Sequence, residues 1–240
     1  MTHTTPPGHV RITVGRCIAV VRREHEADAR ALLGEGTPHE VAARELSARP
    51  LAGRGVAYEI SLPVSGTRAV VRHNRHGGLL APLTRDLFLA PTRAPRELAI
   101  SLRLAAAGIP TPPVLLYAVE SRALFLRRAD VVTRAIAEAR DLSTFMMPGE
   151  PAASRAYAWA AARSLVDALD AAGARHHDLN VKNILLARAN GVLKPWLLDV
   201  DRVEFTSVTK ARAGNRARLL RSARKWQALR GGEFAEGVDY

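Results

Sequence analysis

Two short motifs in the second half of the chain are the most informative part of its sequence. The run HHDLNVKNILL carries Asp178 and, five residues later, Asn183, and the run LLDVD then carries Asp199. Apolar residues follow Asn183 and precede Asp199, as expected for two short buried strands. The pattern predicts a loop bearing Asp178 and Asn183, with Asp199 at the end of the hairpin that follows.

The segments around these motifs have clear secondary-structure signals. Residues 151–172 form an alanine-rich run with apolar positions at helical spacing, which predicts a long helix. Its apolar stripe consists of Tyr157, Ala161, Leu165 and Leu169. The apolar segments 184–187 and 196–200 are joined through Asn190 and Gly191, a dipeptide typical of tight hairpins. The chemistry therefore lies on a loop after a helix and at the end of a hairpin.

Two carboxylates and an amide at this spacing suit phosphoryl transfer. That reaction needs in-line positioning, metal ions that neutralise developing charge, and a group that orients the attacking hydroxyl. Asp178 can accept the hydroxyl proton, while Asn183 and Asp199 offer the oxygen ligands that magnesium prefers. The structural alternative is that Asp178 caps a turn, Asn183 satisfies loop backbone and Asp199 ends a strand. Spacing and predicted strands together favour the catalytic interpretation.

The first half of the chain predicts a small strand-rich region after a disordered start, residues 1–9. Predicted strands are 10–22, 56–62, 68–73, 114–119 and 123–127, and predicted helices are 24–33 and 95–107. The second helix begins with Pro95 at its first position and has Gly108 as its C-terminal cap. These predicted elements make up a strand-rich lobe with one main helix.

Candidate phosphate-binding residues lie in both halves. The tripeptide Gly53-Arg54-Gly55 precedes a strand, where glycines let backbone approach phosphates, although an ordinary turn is the alternative. Arg72 can bind phosphate bidentately and Glu97 is its natural ion-pair partner, unless the two are unrelated surface charges. Lys182 can meet the phosphate or remain a solvated surface lysine.

On these and further motifs the chain resembles the lipopolysaccharide kinases, specifically the 3-deoxy-D-manno-octulosonic acid (Kdo) kinases, a protein-kinase-like family. The matching segments are GRG at 53–55, VVRHNRHGGLL at 70–80, RELAISLRLAAAGIPTPP at 96–113, RADVVTRAI at 128–136, ARDL at 139–142, HHDLNVKNILL at 176–186, LLDVDR at 197–202 and NRARLLRSARKW at 215–226. Many kinases share HHDLNVKNILL-like and LLDVDR-like motifs, whereas RHNRHGG and NRARLLRSARK are more specific to this family.

The resemblance implies a two-lobed α+β fold of the protein-kinase type. It implies a small strand-rich N-lobe, residues 10–132, and a reduced helical C-lobe, residues 133–240. The implied activity is transfer of the γ-phosphoryl group of ATP, with Mg²⁺, to a hydroxyl of a Kdo sugar on a lipid A precursor. This reaction belongs to lipopolysaccharide core biosynthesis at the cytoplasmic face of the inner membrane.

The same resemblance implies roles for the site residues. Asp178 orients the acceptor hydroxyl, Asn183 and Asp199 hold the metal and contact the nucleotide, and Arg72, steadied by Glu97, meets the phosphate. Lys182 belongs to the catalytic set, and the Gly53-Arg54-Gly55 turn covers the nucleotide.

Departures from the protein-kinase pattern limit what carries over. Asp199-Val200-Asp201 lacks the glycine of Asp-Phe-Gly, and His177 replaces the arginine of His-Arg-Asp, so a constitutive site is expected. No A-P-E motif follows, which favours a small or lipid-linked acceptor over a protein. Arg72 in place of lysine leaves an inactive ATP-binding scaffold as an alternative. Because the acceptor rests on the resemblance, a kinase with another small-molecule or glycolipid acceptor is a second alternative.

The formal charge is +12, from 35 basic and 23 acidic residues, and it predicts attraction to anionic partners. Basic residues crowd the last predicted helix: Arg212, Arg216, Arg218, Arg221, Arg224, Lys225 and Arg230. Such a helix can rest on an anionic membrane surface, or it can be an ordinary helix that packs its leucines inward.

Other locations and partners are less compatible with the sequence. Nucleic-acid binding is not expected, because aromatic residues make up 5% of the chain and do not interleave with the basic ones. No apolar run approaches the roughly 20 residues that span a bilayer, and the N-terminus lacks the apolar centre of a signal peptide. The expected location is cytoplasmic and peripheral on the inner membrane.

Overall fold

The computed structural model describes residues 5–51, 57–74, 88–89, 92–122 and 126–231. The chain divides into two compact units, Met1–Ala99 with Pro113–Ala135 and Ile100–Pro112 with Ile136–Tyr240. The predicted turn Gly53-Arg54-Gly55 and the second half of the RHNRHGG segment lie outside the described residues. In the described part of the chain, no helix is both long and apolar enough to cross a bilayer.

The first unit is built on an antiparallel sheet. Its strands are β1 (His9–Val14), β2 (Cys17–Arg22), β3 (Arg49–Leu51), β4 (Ala57–Ser61), β5 (Arg68–His73), β6 (Phe88–Leu89), β7 (Val114–Ser121) and β8 (Leu126–Arg134). Their order is β1-β2-β7-β8-β5-β4-β3, and β6 pairs with β8. Along β5, Ala69 and Val71 are buried in the core. Because successive side chains of a strand point to opposite faces, Arg72 lies on the other face of the sheet.

Two helices, α1 (Glu26–Glu35) and α2 (Pro38–Arg44), pack on the core face of this sheet. The carboxylate of Asp28, at 1% exposure, accepts hydrogen bonds from the backbone N–H groups of Val64 and Ser65, both at 2.9 Å. Its other oxygen contacts His25 Nδ1 at 3.0 Å. Asp28 therefore ties the turn between β4 and β5 to α1, which helps to position the hairpin that carries Arg72.

The helix α3 (Ala94–Ala106) begins in the first unit and ends in the second. Its apolar residues Ile100 and Leu104 belong to the core of the second unit. Gly108 adopts φ +71°, and Ile109 N–H donates to the Leu104 carbonyl at 3.0 Å. The predicted glycine cap is therefore confirmed, since glycine adopts this left-handed conformation without steric cost.

The second unit combines two long helices with short strands. The helices are α4 (Ala152–Ala171) and α5 (Val208–Arg230), and the strands are β9 (Arg140–Asp141), β10 (Ala174–His176), β11 (Ile184–Ala189), β12 (Val192–Leu197) and β13 (Val203–Phe205). The strands form the sheets β12-β11-β9 and β10-β13. The core is centred on Trp159, Leu165, Leu169, Ile184 and Leu197, each at most 2% exposed.

The predicted helix 151–172 is confirmed as α4, but one residue of its apolar stripe is wrong. Tyr157 is 70% exposed. The buried face of α4 instead includes Trp159, Ala162 and Val166, all at most 1% exposed. The bulky indole of Trp159 enters the core, and the helix is rotated so that Tyr157 faces solvent.

Strand ends also differ from prediction. The predicted strand 10–22 is two strands, β1 and β2, because the chain turns at Gly15 with φ +54°. The segment expected to be disordered contributes His9, which pairs with Arg22. The hairpin at Asn190-Gly191 is confirmed, and both residues have the positive φ that its tight turn requires. The strand 196–200 ends early, at Leu197, because the positive φ of Asp199 cannot continue a strand.

Candidate active site

Arg72 and Glu97 are brought together in the first unit. Arg72 lies near the end of β5, and Glu97 lies in the first turn of α3, where a helix dipole favours an acidic residue. Arg72 Nη2 donates a hydrogen bond to Glu97 Oε1. The carboxylate side chain is 3% exposed and the guanidinium side chain 31%. Because a buried carboxylate needs a charged partner, Glu97 holds a partly exposed cation in a defined position.

On the face of the sheet opposite Arg72, the end of β5 is held by polar contacts that were not predicted from the sequence. His73 Nδ1 contacts Asp130 Oδ1 on β8, and both side chains are 3% exposed. Asp130 Oδ2 accepts the backbone N–H of His39, on α2, at 2.9 Å. The strand end that presents Arg72 is therefore fixed to β8 and α2. One indication of this contact is present in the sequence: His73 and Asp130 lie in the segments 70–80 and 128–136, which resemble those of the lipopolysaccharide kinases.

In the second unit, residues 176–183 form the Asp178 loop. His176 is fully buried and connects this loop to Leu198, the first residue after β12. Its Nδ1 accepts the Asp178 backbone N–H at 3.1 Å, and its Nε2 donates to the Leu198 carbonyl at 3.1 Å. Burial lowers the pKa of His176, although the Leu198 hydrogen bond and the carboxylates of Asp199 and Asp178 oppose this shift. A neutral imidazole with its proton on Nε2 satisfies both contacts.

Two amide side chains hold the backbone of Asp178. Asn180 Nδ2 and Asn183 Nδ2 both donate to the Asp178 carbonyl, at 2.8 and 2.9 Å. The Asn183 carbonyl in turn accepts the backbone N–H of Leu198 at 2.8 Å. The predicted residues Asp178 and Asn183 are therefore joined by a hydrogen bond. Asp199 directly follows Leu198, whose carbonyl accepts from His176 and whose N–H donates to Asn183.

Asp199 has φ +53°, in the left-handed region that non-glycine residues seldom occupy. It precedes a single 3-10 turn, Val200–Arg202, and its carbonyl accepts the Arg202 N–H at 3.1 Å. His177 N–H donates to the Arg202 carbonyl at 2.9 Å, and His177 Nε2 contacts Glu204 Oε2 at 2.7 Å. The histidine that replaces arginine is thus paired with a carboxylate of β13.

Lys182 lies on the side of the loop that faces α5. It is exposed, and its ammonium nitrogen lies 5.0 Å from the centroid of the Trp226 ring. The backbone N–H of the preceding residue, Val181, donates to Ser222 Oγ at 3.2 Å. The predicted phosphate-binding role of Lys182 therefore remains a prediction, and the structure places this side chain against an aromatic ring.

The ligands proposed for magnesium fit that ion in chemical type. The amide nitrogen of Asn183 is engaged with Asp178, while its Oδ1 accepts no hydrogen bond from the described residues. Asp199 adds a carboxylate, so both groups offer the hard oxygen atoms that magnesium prefers. No group of three or more His, Cys, Asp and Glu side chains suited to a metal occurs in the described ranges. A pair is sufficient for magnesium, which usually keeps waters and phosphate oxygens as its other ligands.

Comparison with known proteins relates the sequence of this chain to a family. The model of the lipopolysaccharide kinase (Kdo/WaaP) family matches residues 44–233. The 3-deoxy-D-manno-octulosonic acid kinase of Actinobacillus succinogenes is 35% identical over 190 residues, covering 77% of this chain and 78% of the relative. The enzyme of the same name from Pasteurella multocida is 29% identical over 198 residues, covering 75% and 81%.

A solved structure supports the fold alone. The structure of WaaP in complex with acyl carrier protein superposes with a TM-score of 0.53 at 19% identity, covering 81% of this chain and 78% of that chain. The predicted α+β kinase-like fold and the predicted family resemblance are confirmed. The predicted enzyme class, a phosphotransferase that acts on a sugar hydroxyl, is confirmed as well. The chain belongs to the lipopolysaccharide kinase (Kdo/WaaP) family, as a kinase acting in lipopolysaccharide core biosynthesis.

Proposed function

We propose that this chain transfers the γ-phosphoryl group of ATP to a hydroxyl of a Kdo sugar on a lipid A precursor. The observation that carries the proposal is the Asp178 loop, in which His176, Asn180 and Asn183 hold the backbone of Asp178 on both sides. The acceptor is proposed from the relatives, which are named 3-deoxy-D-manno-octulosonic acid kinases.

Asp178 is proposed to orient the acceptor hydroxyl and to take its proton. As it does so, the hydroxyl oxygen bonds to the γ-phosphorus of ATP and the bond from that phosphorus to ADP breaks, which releases ADP. Its side chain is half-buried, and its backbone is fixed by hydrogen bonds that do not involve the carboxylate. The carboxylate therefore needs little reorganisation when the acceptor binds. Such preorganisation is the main contribution that a protein makes to phosphoryl transfer.

Asn183 and Asp199 are proposed to hold Mg²⁺ through Oδ1 and a carboxylate oxygen. When bound, magnesium neutralises negative charge on the phosphate oxygens during transfer. The chain's own contribution is to keep the two ligands in register. The hydrogen bond from Leu198 N–H to the Asn183 carbonyl, at 2.8 Å, links the segments that carry them.

Arg72, held by Glu97, is proposed to bind a phosphate group of ATP. Gly53-Arg54-Gly55 is proposed to cover the nucleotide, and Lys182 is proposed as a second phosphate contact. The ion pair of Arg72 is what supports its role, because a guanidinium fixed by a buried carboxylate can bind phosphate with little loss of side-chain entropy.

Glu97→Gln tests the phosphate role of Arg72. The amide keeps the shape of Glu97 but loses its charge, and hydrogen bonds to charged groups contribute about 1.5–3 kcal/mol. We expect the apparent KM for ATP to rise about tenfold or more, measured from initial rates at fixed magnesium. Glu59→Gln is the matched control. Glu59, like Glu97, forms ion pairs with arginine, but its partners Arg49 and Arg68 lie elsewhere on the sheet. A Glu97→Gln enzyme with wild-type KM and a wild-type rate would contradict the role.

The outer face of α5 supports peripheral binding to an anionic membrane. Leu219 and Ala223 are buried, and Leu220 and Trp226 pack against the core, so the apolar stripe of this helix is occupied within the unit. The exposed basic residues are Lys210, Arg212, Arg221, Arg224, Lys225 and Arg230. Val208 and Leu229, at the two ends of the helix, are 45% and 67% exposed, so apolar insertion is limited to these ends. Attraction to the cytoplasmic face of the inner membrane is therefore proposed to be mainly electrostatic.

Vesicle binding should depend on this basic face. Each basic residue near an anionic surface contributes about 1 kcal/mol, so replacing Arg221, Arg224 and Lys225 together by glutamine should weaken binding about a hundredfold. The measurement is co-sedimentation with phosphatidylglycerol–phosphatidylcholine vesicles at several salt concentrations. The control replaces Arg11, Arg16 and Arg23, exposed arginines of the first unit. Equal weakening by both triple variants would argue against α5 as the contact face.

An acceptor panel tests the proposed function as a whole. Wild-type protein, labelled ATP and magnesium are combined with a Kdo-bearing lipid A precursor, with free Kdo, with lipid A precursor that lacks Kdo, and with a general protein substrate. We expect label on the Kdo-bearing lipid only, with a phosphate ester on a Kdo hydroxyl by mass spectrometry. Label on lipid A precursor without Kdo would overturn the proposed acceptor and leave the kinase class intact.

A further inference from the structure

Asn215, on α5, is fully buried and its side-chain amide makes hydrogen bonds in two directions. Its Oδ1 accepts the backbone N–H of His176 at 2.8 Å. Its Nδ2 donates to Asp170 Oδ1 and to the Ala174 carbonyl, both at 2.9 Å. The amide therefore uses both donors and its acceptor, and it joins α5 to α4 and to the first residue of the Asp178 loop.

The partner of Asn215 on α4 is a buried carboxylate. Asp170 is 1% exposed, and its other oxygen accepts Arg216 Nε at 3.4 Å. Burial raises the pKa of Asp170, while hydrogen bonds from Asn215 and Arg216 oppose the shift. A buried carboxylate is costly without donors, so the Nδ2 group of Asn215 cannot be replaced by an acceptor without penalty.

The same face of α5 contacts the other end of the loop. Ser222 and Trp226 follow Asn215 at spacings that keep all three on one face of a helix. Ser222 Oγ accepts the Val181 N–H at 3.2 Å, and the Trp226 ring lies beneath the ammonium of Lys182 at 5.0 Å. The loop from His176 to Lys182 is thus supported along the length of one helix face, and Asn215 supports its beginning.

We infer that Asn215 is a positioning residue for phosphoryl transfer, acting through the backbone of His176 on the Asp178 loop. By fixing the His176 N–H it holds the imidazole that receives the Asp178 N–H and donates to the Leu198 carbonyl. The inference deepens the proposed function and rests on the role proposed there for Asp178.

Asn215→Asp provides the sharpest test because it replaces the NH₂ group, with its two N–H donors, by an acceptor oxygen at nearly constant shape. The retained Oδ1 still accepts from His176, but the new Oδ2 faces Asp170 Oδ1 and the Ala174 carbonyl, both acceptors. We expect kcat to fall about 10- to 100-fold with little change in the KM for ATP, since the unsatisfied pair displaces the loop. The far-UV circular dichroism spectrum should be unchanged.

Exchanging the two partners should restore activity. In the double variant Asp170→Asn with Asn215→Asp, the amide at 170 donates to the carboxylate at 215, and the net charge equals that of the wild type. We expect kcat to recover about tenfold relative to Asn215→Asp alone. If Asn215 acted only by filling space, this rescue would not be expected, because each single change already keeps the size and shape of the side chain.

The pH profile gives an independent readout. In Asn215→Asp, two carboxylates face each other and one shared proton can replace the lost N–H donor. The rate of the variant, divided by the rate of the wild type at the same pH, should therefore rise as the pH is lowered from neutral. The division removes the effect of groups that titrate in both enzymes. The charged and titratable groups around this pair are Asp167, Arg175, His176 and Arg216.

Hydrogen exchange separates this inference from the proposed function. Amide exchange of the peptide that contains His176 should be faster in Asn215→Asp and should return toward wild type in the double variant, whatever acceptor the enzyme uses. Asn190→Asp, at the exposed turn of the β11–β12 hairpin, is the control for added charge, and its rate should remain within about twofold of wild type. Wild-type kcat and wild-type exchange in Asn215→Asp would overturn the inference.

Discussion

Replacing Asp178 by alanine is expected to reduce phosphoryl transfer about a thousandfold while leaving the fold intact. General acid–base groups contribute about 10²- to 10⁴-fold, and this carboxylate is also proposed to orient the acceptor hydroxyl. The fold should survive because the hydrogen bonds of the loop use the backbone N–H and carbonyl of residue 178, which alanine retains. The measurement is single-turnover transfer from labelled ATP to a Kdo-bearing lipid A precursor, with thermal unfolding as the check on structure.

Two further variants sharpen the result for Asp178. Asp178→Asn keeps the size and hydrogen-bonding shape of the side chain but accepts a proton poorly, so a loss close to that of alanine would assign the effect to proton transfer. Asp167→Ala removes a carboxylate from α4 that is 58% exposed and pairs with Arg216, and it should change the rate little. Transfer by Asp178→Ala at an undiminished rate would refute the role proposed for this residue.

The residues that the sequence located correctly have short-range signals. Asp178 and Asn183 lie in one motif, and the hydrogen bond between them follows from a spacing of five residues. Asn190-Gly191 specifies its turn locally, since both residues tolerate positive φ. The Arg72–Glu97 contact is longer in range. It was predicted because Arg72 aligns with the strand that normally presents a phosphate-binding lysine, with Glu97 as its acidic partner on the following helix, and the structure shows the two in contact. What these contacts do in catalysis is still proposed.

The supporting residues could not be predicted because their partners are distant in sequence. Asn215 contacts His176 and Asp170, and Asp130 contacts His73, through side chains that no local pattern connects. Buried polar residues of this kind are specified by the complete three-dimensional arrangement, since each must find a partner to offset its desolvation. The error at Tyr157 has a similar cause, because the packing of Trp159 set the rotation of α4.

The helix α5 has two faces with different proposed roles, one in supporting the Asp178 loop and one in contacting the membrane. Its inner face supplies Asn215 and Ser222 to the Asp178 loop, and its outer face carries the exposed arginines. Arg216 is an exception, because it pairs with Asp167 and Asp170 on α4. Both proposed roles fall within the segment NRARLLRSARKW, residues 215–226, on which the resemblance to the family partly rests.

Gly173→Ala is expected to be strongly destabilising because of where this residue joins α4 to β10. Gly173 has φ +64°, and a methyl group built on it would overlap the carbonyl oxygen of Thr206, which belongs to backbone and cannot rotate away. The left-handed conformation costs alanine about 1–2 kcal/mol, and forcing the backbones apart adds about 1–3 kcal/mol. We therefore expect the free energy of unfolding in urea to fall by about 3 kcal/mol.

Gly191→Ala separates the two costs for Gly173. Gly191 has a similar positive φ of +80°, but a methyl group there meets no atom within 4 Å, so only the conformational cost of about 1–2 kcal/mol applies. The excess destabilisation of Gly173→Ala over this control measures the close approach of the chain at Thr206, whose N–H also donates to the Gly173 carbonyl at 2.7 Å. Equal losses in the two variants would show that the segments at Gly173 and Thr206 separate without cost. In that case β10 and β13 would not be the rigid base that the Asp178 loop requires.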